Sequence, residues 1–102
     1  MRLDKKTVET IKNLALSYFG INAKIYIFGS RANDIERGGD IDIYIETYLD
    51  INSTELFNLE SKYWVSLQKA LGERKIDIII NDINFNNNNY IYEVAKKTGI
   101  MI

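Results

Sequence analysis

Phe28-Gly29-Ser30-Arg31-Ala32-Asn33-Asp34-Ile35-Glu36-Arg37-Gly38-Gly39-Asp40-Ile41-Asp42-Ile43-Tyr44-Ile45-Glu46 is the stretch that decides the fold. Gly29-Ser30 follows a β-type run, Ile25 to Phe28, and Asp40-Ile41-Asp42 opens another, Ile41 to Ile45. Strand side chains alternate, so Asp40 and Asp42 share one face while Ile41, Ile43 and Ile45 share the other. Two carboxylates about 6.7 Å apart at Cα on one strand face repel each other unless a cation lies between them. Gly29 permits a tight turn, and Ser30 can cap a short helix through about Ile35. A glycine and a hydroxyl there suggest backbone N–H groups that meet an anion. An anion cradle beside a carboxylate pair is what a metal–nucleotide complex requires.

Outward from this stretch, the pattern predicts a helix from about Asp4 to Phe19. Val8, Ile11, Leu14, Ala15 and Tyr18 fall on one face, Asp4 is its N-cap and Gly20 its stop. Ala23 to Phe28 is a strand, and Arg37-Gly38-Gly39 is a loop. Asp40 to Glu46 is the second strand. Asn52 and Glu55 then resemble a capping box, opening a long helix to about Leu71 that Gly72 ends. Leu56, Leu59, Tyr63, Leu67 and Ala70 form its apolar stripe, with Trp64 packed at the stripe's edge. Lys75 to Ile80 is the third strand. Ile76, Ile78 and Ile80 take one face, and Lys75, Asp77 and Ile79 the other. Asp77 reads either as part of a solvated strand face or as a third carboxylate facing Asp40 and Asp42 from a neighbouring strand. Asn81 to Asn89 is a polar loop. A last helix, Tyr90 to Thr98, turns Ile91, Val94 and Ala95 inward. Ile100-Met101-Ile102 is an apolar tail, expected to pack on the core or meet a partner. The fold class is α/β: one small sheet with helices in the order α-β-α-β-α-β-α, a single domain over residues 1–102.

Composition narrows the chemistry. A chain of 102 residues buries roughly 65% of its unfolded surface, enough to fold without staples. The net charge of −1 argues against sequence-independent binding to DNA or RNA. There is no histidine, which excludes Ser-His-Asp and imidazole general-base chemistry. There is no cysteine, so no disulfide and no thiolate zinc site. A bound metal must therefore be a hard cation on oxygen ligands. No apolar run reaches the ~20 residues that cross a bilayer. The N-terminal residues show no apolar signal region, so a cytoplasmic location is expected.

Phosphoryl and nucleotidyl transfer rely on positioning and charge neutralisation. Two divalent ions about 3.5–4 Å apart can hold the attacking and leaving oxygens. Asp40 and Asp42 can bridge such ions, and Asp77 can ligate one near the attacking hydroxyl. Gly29 and Ser30 can hold a triphosphate, with Arg31 facing its charge. A lone Asp-x-Asp is a weak signal. A strand, Gly-Ser, helix, Asp-x-Asp strand and a later strand with an aspartate, in that order, is much more specific.

Phe28-Gly29-Ser30-Arg31-Ala32, Gly39-Asp40-Ile41-Asp42-Ile43 and Lys75-Ile76-Asp77-Ile78-Ile79 together resemble the minimal nucleotidyltransferases of the DNA polymerase β superfamily. The resemblance spans nearly the whole chain and is greatest to the antitoxin-type members paired with HEPN-domain toxins. It implies a polymerase β-like fold with a small mixed sheet. It implies that Asp40, Asp42 and Asp77 are catalytic and bind magnesium, two ions in all, and that Gly29 and Ser30 bind the nucleoside triphosphate. The implied reaction moves a nucleoside monophosphate, AMP from ATP, to a hydroxyl with release of pyrophosphate. In the paired systems the acceptor is a tyrosine of the HEPN toxin, which implies a hetero-oligomer with that partner. Larger relatives add a second domain for acceptor recognition, and a chain of this length is expected to rely on its partner instead. The chain departs from the antitoxin group in two ways: one residue fewer separates Gly29-Ser30 from Asp40, and Gly39 stands where a serine is common. Two other roles are compatible with these residues: a binding module that silences its partner by occlusion, and a stand-alone transferase acting on a small molecule.

Overall fold

The computed structural model describes residues 4–28, 41–83 and 90–102. The predicted turn at Gly29, the short helix through Ile35, the Arg37-Gly38-Gly39 loop, Asp40 and the run Asn86 to Asn89 lie outside them.

The first helix, α1 (Lys5–Phe19), starts where Thr7 N–H donates to the Asp4 carboxylate at 2.7 Å, satisfying one of the orphan donors of its first turn. It stops at Gly20, whose φ of 102° takes the chain out of the helix. Strand β1 (Lys24–Phe28) follows, then β2 (Ile41–Thr47). Helix α2 (Ser53–Leu71) opens with the predicted cap: Glu55 N–H donates to Asn52 Oδ1 at 2.9 Å, and Asn52 Nδ2 reaches back to Glu55 Oε1 at 3.4 Å. Then come β3 (Ile76–Asp82), α3 (Tyr90–Thr98) and β4 (Ile100–Met101).

The sheet is mixed, in the order β3-β2-β1-β4. β1 runs antiparallel to β2 and to β4, while β2 and β3 are parallel, with α2 as the connection that parallel strands require. Strand alternation sorts the core as the pattern predicts. Ile25, Ile27, Ile41, Ile43, Ile45, Ile76 and Ile80 pack on Ile11, Ala15 and Phe19 of α1 and on Tyr63 and Leu67 of α2. Polar groups that enter this layer pair with backbone: Tyr63 Oη donates to Ile11 O at 2.9 Å, and Thr47 Oγ1 donates to Phe19 O at 2.6 Å. On the opposite face Tyr26, Tyr44 and Ala95 form a smaller cluster beneath α3.

Three expectations change. Ala70 is exposed, and Leu71 packs on the core instead, because the stripe drifts as the helix turns 100° per residue. Trp64 is not packed away: it is 43% exposed. The loop expected from Asn81 starts later, since Asn81 and Asp82 are the last two residues of β3. The apolar tail packs on the core through Ile102, one of its two expected roles, and it also pairs as a strand, with Ile102 N–H donating to Ile25 O at 2.9 Å. Gly99 makes that reversal possible. A β-carbon there would lie 2.6 Å from Ala95 O and 3.2 Å from Ile27 O, so only glycine lets the chain leave α3 and pair at once with β1. Of the inward face predicted for α3, Ala95 is fully buried and Val94 half-buried, while the Ile91 side chain lies outside the described residues.

Candidate active site

Ile41, Ile43 and Ile45 are committed to the apolar face, so the alternate residues of β2 must face the other way: Asp42, Tyr44 and Glu46. The parallel register then fixes their neighbours on β3. Asp42 stands beside Asp77, Tyr44 beside Ile79, and Glu46 beside Asn81. Register partners on adjacent strands point to the same face about 4.8 Å apart, so two aspartates form one row. Asp77 is exposed and Asp42 half-buried. Phe28 completes the row on the β1 side, opposite Asp42.

Two features hold this row in place. Ile41 N–H donates to Lys75 O at 3.0 Å, which locks the openings of β2 and β3 together. The Gln68 side chain clamps the approach to β3: its Nε2 donates to Arg74 O at 2.7 Å and its Oε1 accepts from Arg74 N–H at 2.9 Å. Both aspartates therefore stand on backbone that is paired before the side chains begin.

At about 5 Å, two carboxylates repel by roughly 1 kcal/mol in water and about 3 kcal/mol at an effective dielectric of 20. A cation between them reverses the sign of that term. The donors are oxygen only, which suits magnesium rather than a softer metal. Asp42 and Asp77 thus fit a hard divalent ion on chemistry and register. Among the described residues no group of three potential ligands gathers; the expected third carboxylate, Asp40, lies outside them, as do Gly29, Ser30 and Arg31.

A second row on the same face was not foreseen. Tyr44 Oη donates to Glu46 Oε2 at 2.9 Å and accepts from Asn81 Nδ2 at 3.1 Å. Lys96 of α3 approaches the same Glu46 oxygen at 3.3 Å. Burial pushes the Tyr44 phenol well above its ordinary value, so it stays a proton donor. Asn81 Oδ1 is buried with no hydrogen-bond partner among the described residues. These groups border a cavity of about 310 Å³ closed on one side by Tyr92, whose ring lies 5.9 Å from that of Tyr44. The alternation Asp42, Tyr44, Glu46 was the available signal for this row; the position of α3 above it was not.

At the far end of β3, buried Asp82 accepts from Asp50 N–H and Ile51 N–H, each at 3.0 Å. It braces the link that leads into α2, where Asp50 has a φ of 55°.

Against known proteins, no curated sequence matches the chain. The family model described as polymerase beta, nucleotidyltransferase, matches residues 9–102. That range takes in the paired aspartates, the four described strands, α2, α3 and most of α1. The mixed four-stranded sheet with its paired aspartates and the family match agree: the chain belongs to the polymerase β nucleotidyltransferase family.

Proposed function

We propose that this chain transfers AMP from ATP, with magnesium, to a tyrosine hydroxyl of a HEPN-domain toxin and so acts as its antitoxin. The observation that carries the transferase reading is the side-by-side placement of Asp42 and Asp77 on an accessible sheet face. The choice of acceptor rests on the resemblance of the three sequence motifs to the antitoxin-type members.

In this reading Asp42 and Asp77, with Asp40, hold the metal, and Gly29, Ser30 and Arg31 hold the triphosphate. Bound magnesium neutralises phosphate charge and lowers the cost of the developing negative charge. The chain's own residues do the positioning. Asp77 lies on an end strand of the sheet, so an acceptor can reach it from outside the domain. The acceptor oxygen forms a bond to the α-phosphorus, the bond from that phosphorus to the pyrophosphate oxygen breaks, and the acceptor proton leaves to a carboxylate or to water. The Gln68 clamp and the Ile41–Lys75 bond keep the two aspartates in register throughout.

The test mixes the protein with ATP, magnesium and the product of the adjacent gene. Mass spectrometry should find an AMP adduct on a tyrosine of that product, absent with Asp42→Asn or Asp77→Asn. Transfer that persists in both variants removes the metal mechanism. An Asp42→Asn variant that still protects cells fully from the partner points to silencing by occlusion.

A further inference from the structure

Helix α2 has an outer side as well as a core stripe. Phe57, Trp64 and Val65 are 63%, 43% and 44% exposed. Glu60 sits one turn before Trp64, and Ser61 one turn before Val65, so the four share a surface. With Ile76, Asp77 and Ile78 they line an open cleft of about 350 Å³ between α2 and β3. Glu60 is half-buried and has no hydrogen-bond or ion-pair partner among the described residues, and burial raises the pKa of its carboxyl. A carboxylate partly removed from water without a partner costs free energy that an incoming cation recovers. The neighbouring indole strengthens that preference, because a cation over a tryptophan face is attracted by its quadrupole. Arginine suits such a place best, being planar and weakly hydrated.

The other wall of the cleft is an end strand. Lys75 O accepts from Ile41 N–H. In a parallel ladder that parity turns the backbone groups of Asp77, Ile79 and Asn81 toward β2, and those of Ile76, Ile78 and Ile80 outward. Among the described residues no strand pairs with that outer edge. An exposed edge beside a pocket is the arrangement that binds an extended segment by strand addition. Side chains of an added strand alternate. A residue that points over α2 enters the cleft; the next points to the opposite face, beside Asp77 and Asp42.

We propose that the outer edge of β3 and the α2 cleft dock an extended segment of the acceptor protein in which an arginine adjoins the modified tyrosine. The arginine enters between Glu60 and Trp64, and the tyrosine lies on the side of the aspartate row. The inference rests on the reading of the chain as a protein-tyrosine nucleotidyltransferase and adds to it how the acceptor is chosen. Charge decides the occupant: among the described residues that line the cleft, Glu60 and Asp77 are charged and none is a cation, which suits a basic side chain and opposes a nucleic-acid strand.

Trp64 is the only tryptophan and lines the cleft, so tryptophan emission comes from this one indole and responds when the cleft is filled. The probes are the peptide acetyl-Thr-Val-Arg-Tyr-Val-Thr-amide and its counterpart with glutamate in place of arginine. The arginine peptide should shift Trp64 emission and the amide resonances of Ile76, Ile78 and Ile80 with a dissociation constant of about 1 mM or tighter. The glutamate peptide should bind at least about tenfold more weakly, and Glu60→Lys should reverse the preference. Equal responses to both peptides, or no response, overturn the proposal. Edge resonances that move with protein concentration alone, as self-pairing of β3 requires, also overturn it. Asp42→Asn should abolish transfer and leave peptide binding intact, so a failed transferase reading and a failed docking site give different results. Transfer to the intact acceptor that is unchanged in Glu60→Lys sinks the docking site alone.

Discussion

The two faces of the sheet are built from alternate residues of the same strands, yet they differ in almost every property. One face is a comb of isoleucines under α1 and α2. The other passes from a buried tyrosine cluster to an accessible pair of aspartates. Helix length accounts for part of the difference. α1 and α2 have 15 and 19 residues, α3 only 9. A helix of that length spans about 13 Å, whereas a seven-residue strand such as β2 runs about 23 Å. Among the described elements, α3 therefore covers the Tyr44 end of its face and leaves the Asp42 end uncovered. Carboxylates are tolerated there because they keep their water, which the isoleucine face would strip away.

Neighbours in sequence separate the two faces most clearly. Ile43→Ala removes a fully buried side chain from the apolar face and should cost about 2–5 kcal/mol in chemical denaturation. Asp42→Asn, one residue earlier, should lower transfer on the order of 10²–10⁴-fold. Its effect on stability should be smaller than that of Ile43→Ala, since Asn is nearly isosteric with Asp and the side chain changed is half-buried rather than fully buried. A large loss of stability in Asp42→Asn would mean that the second face is also structural at that end. Magnesium with ATP should raise the melting temperature of the wild type and do so less in Asp42→Asn.

The apolar face does hold a carboxylate, Asp82, at its far end. It is tolerated because two backbone N–H groups donate to it. Asp82→Ala should cost about 2–3 kcal/mol, since two charge-assisted bonds are lost and both donors are stranded. It should slow transfer little at temperatures where the protein stays folded. On the other face Tyr44→Phe removes a hydroxyl that serves Glu46 and Asn81 together. The expected loss is smaller, about 1–2 kcal/mol, because Lys96 still faces Glu46.

How much of this was legible follows from the range of each interaction. The caps at Asp4 and Asn52 and the stops at Gly20 and Gly72 are local, and the sequence showed them. The alternation that separates Asp42 from Ile43 and Asp77 from Ile76 is local too. The register that puts Asp42 beside Asp77 is not, since it depends on how α2 returns the chain. β4 escaped because two residues cannot show a period, and its pairing depends on Gly99 fitting against Ala95 and Ile27. Trp64 was misread because a helix stripe shows which residues face the core, not which neighbours remain beside an uncovered edge. The row of Tyr44, Glu46, Asn81 and Lys96 joins three elements, and no local pattern brings Lys96 to Glu46.

The contact between Lys96 and Glu46 contributes least to stability. The Lys96 amine is half-exposed while the Glu46 carboxylate is buried, so the pair is worth about 0.2–1 kcal/mol after screening by water. Lys96→Met should therefore lower the melting temperature by only a few degrees, about 1–6 °C for a domain of this size. The hydrogen bond to Glu46 holds the Lys96 amine above its ordinary value of 10.5. A folded value above the unfolded one means that the contribution is whole below the ordinary value and fades as pH rises through the raised one. The gap in melting temperature between wild type and Lys96→Met should thus be constant from neutral pH to about pH 10, then close. A gap that is unchanged well above that range would show that the lysine acts through the packing of its aliphatic stem on the tyrosine cluster, not through its charge.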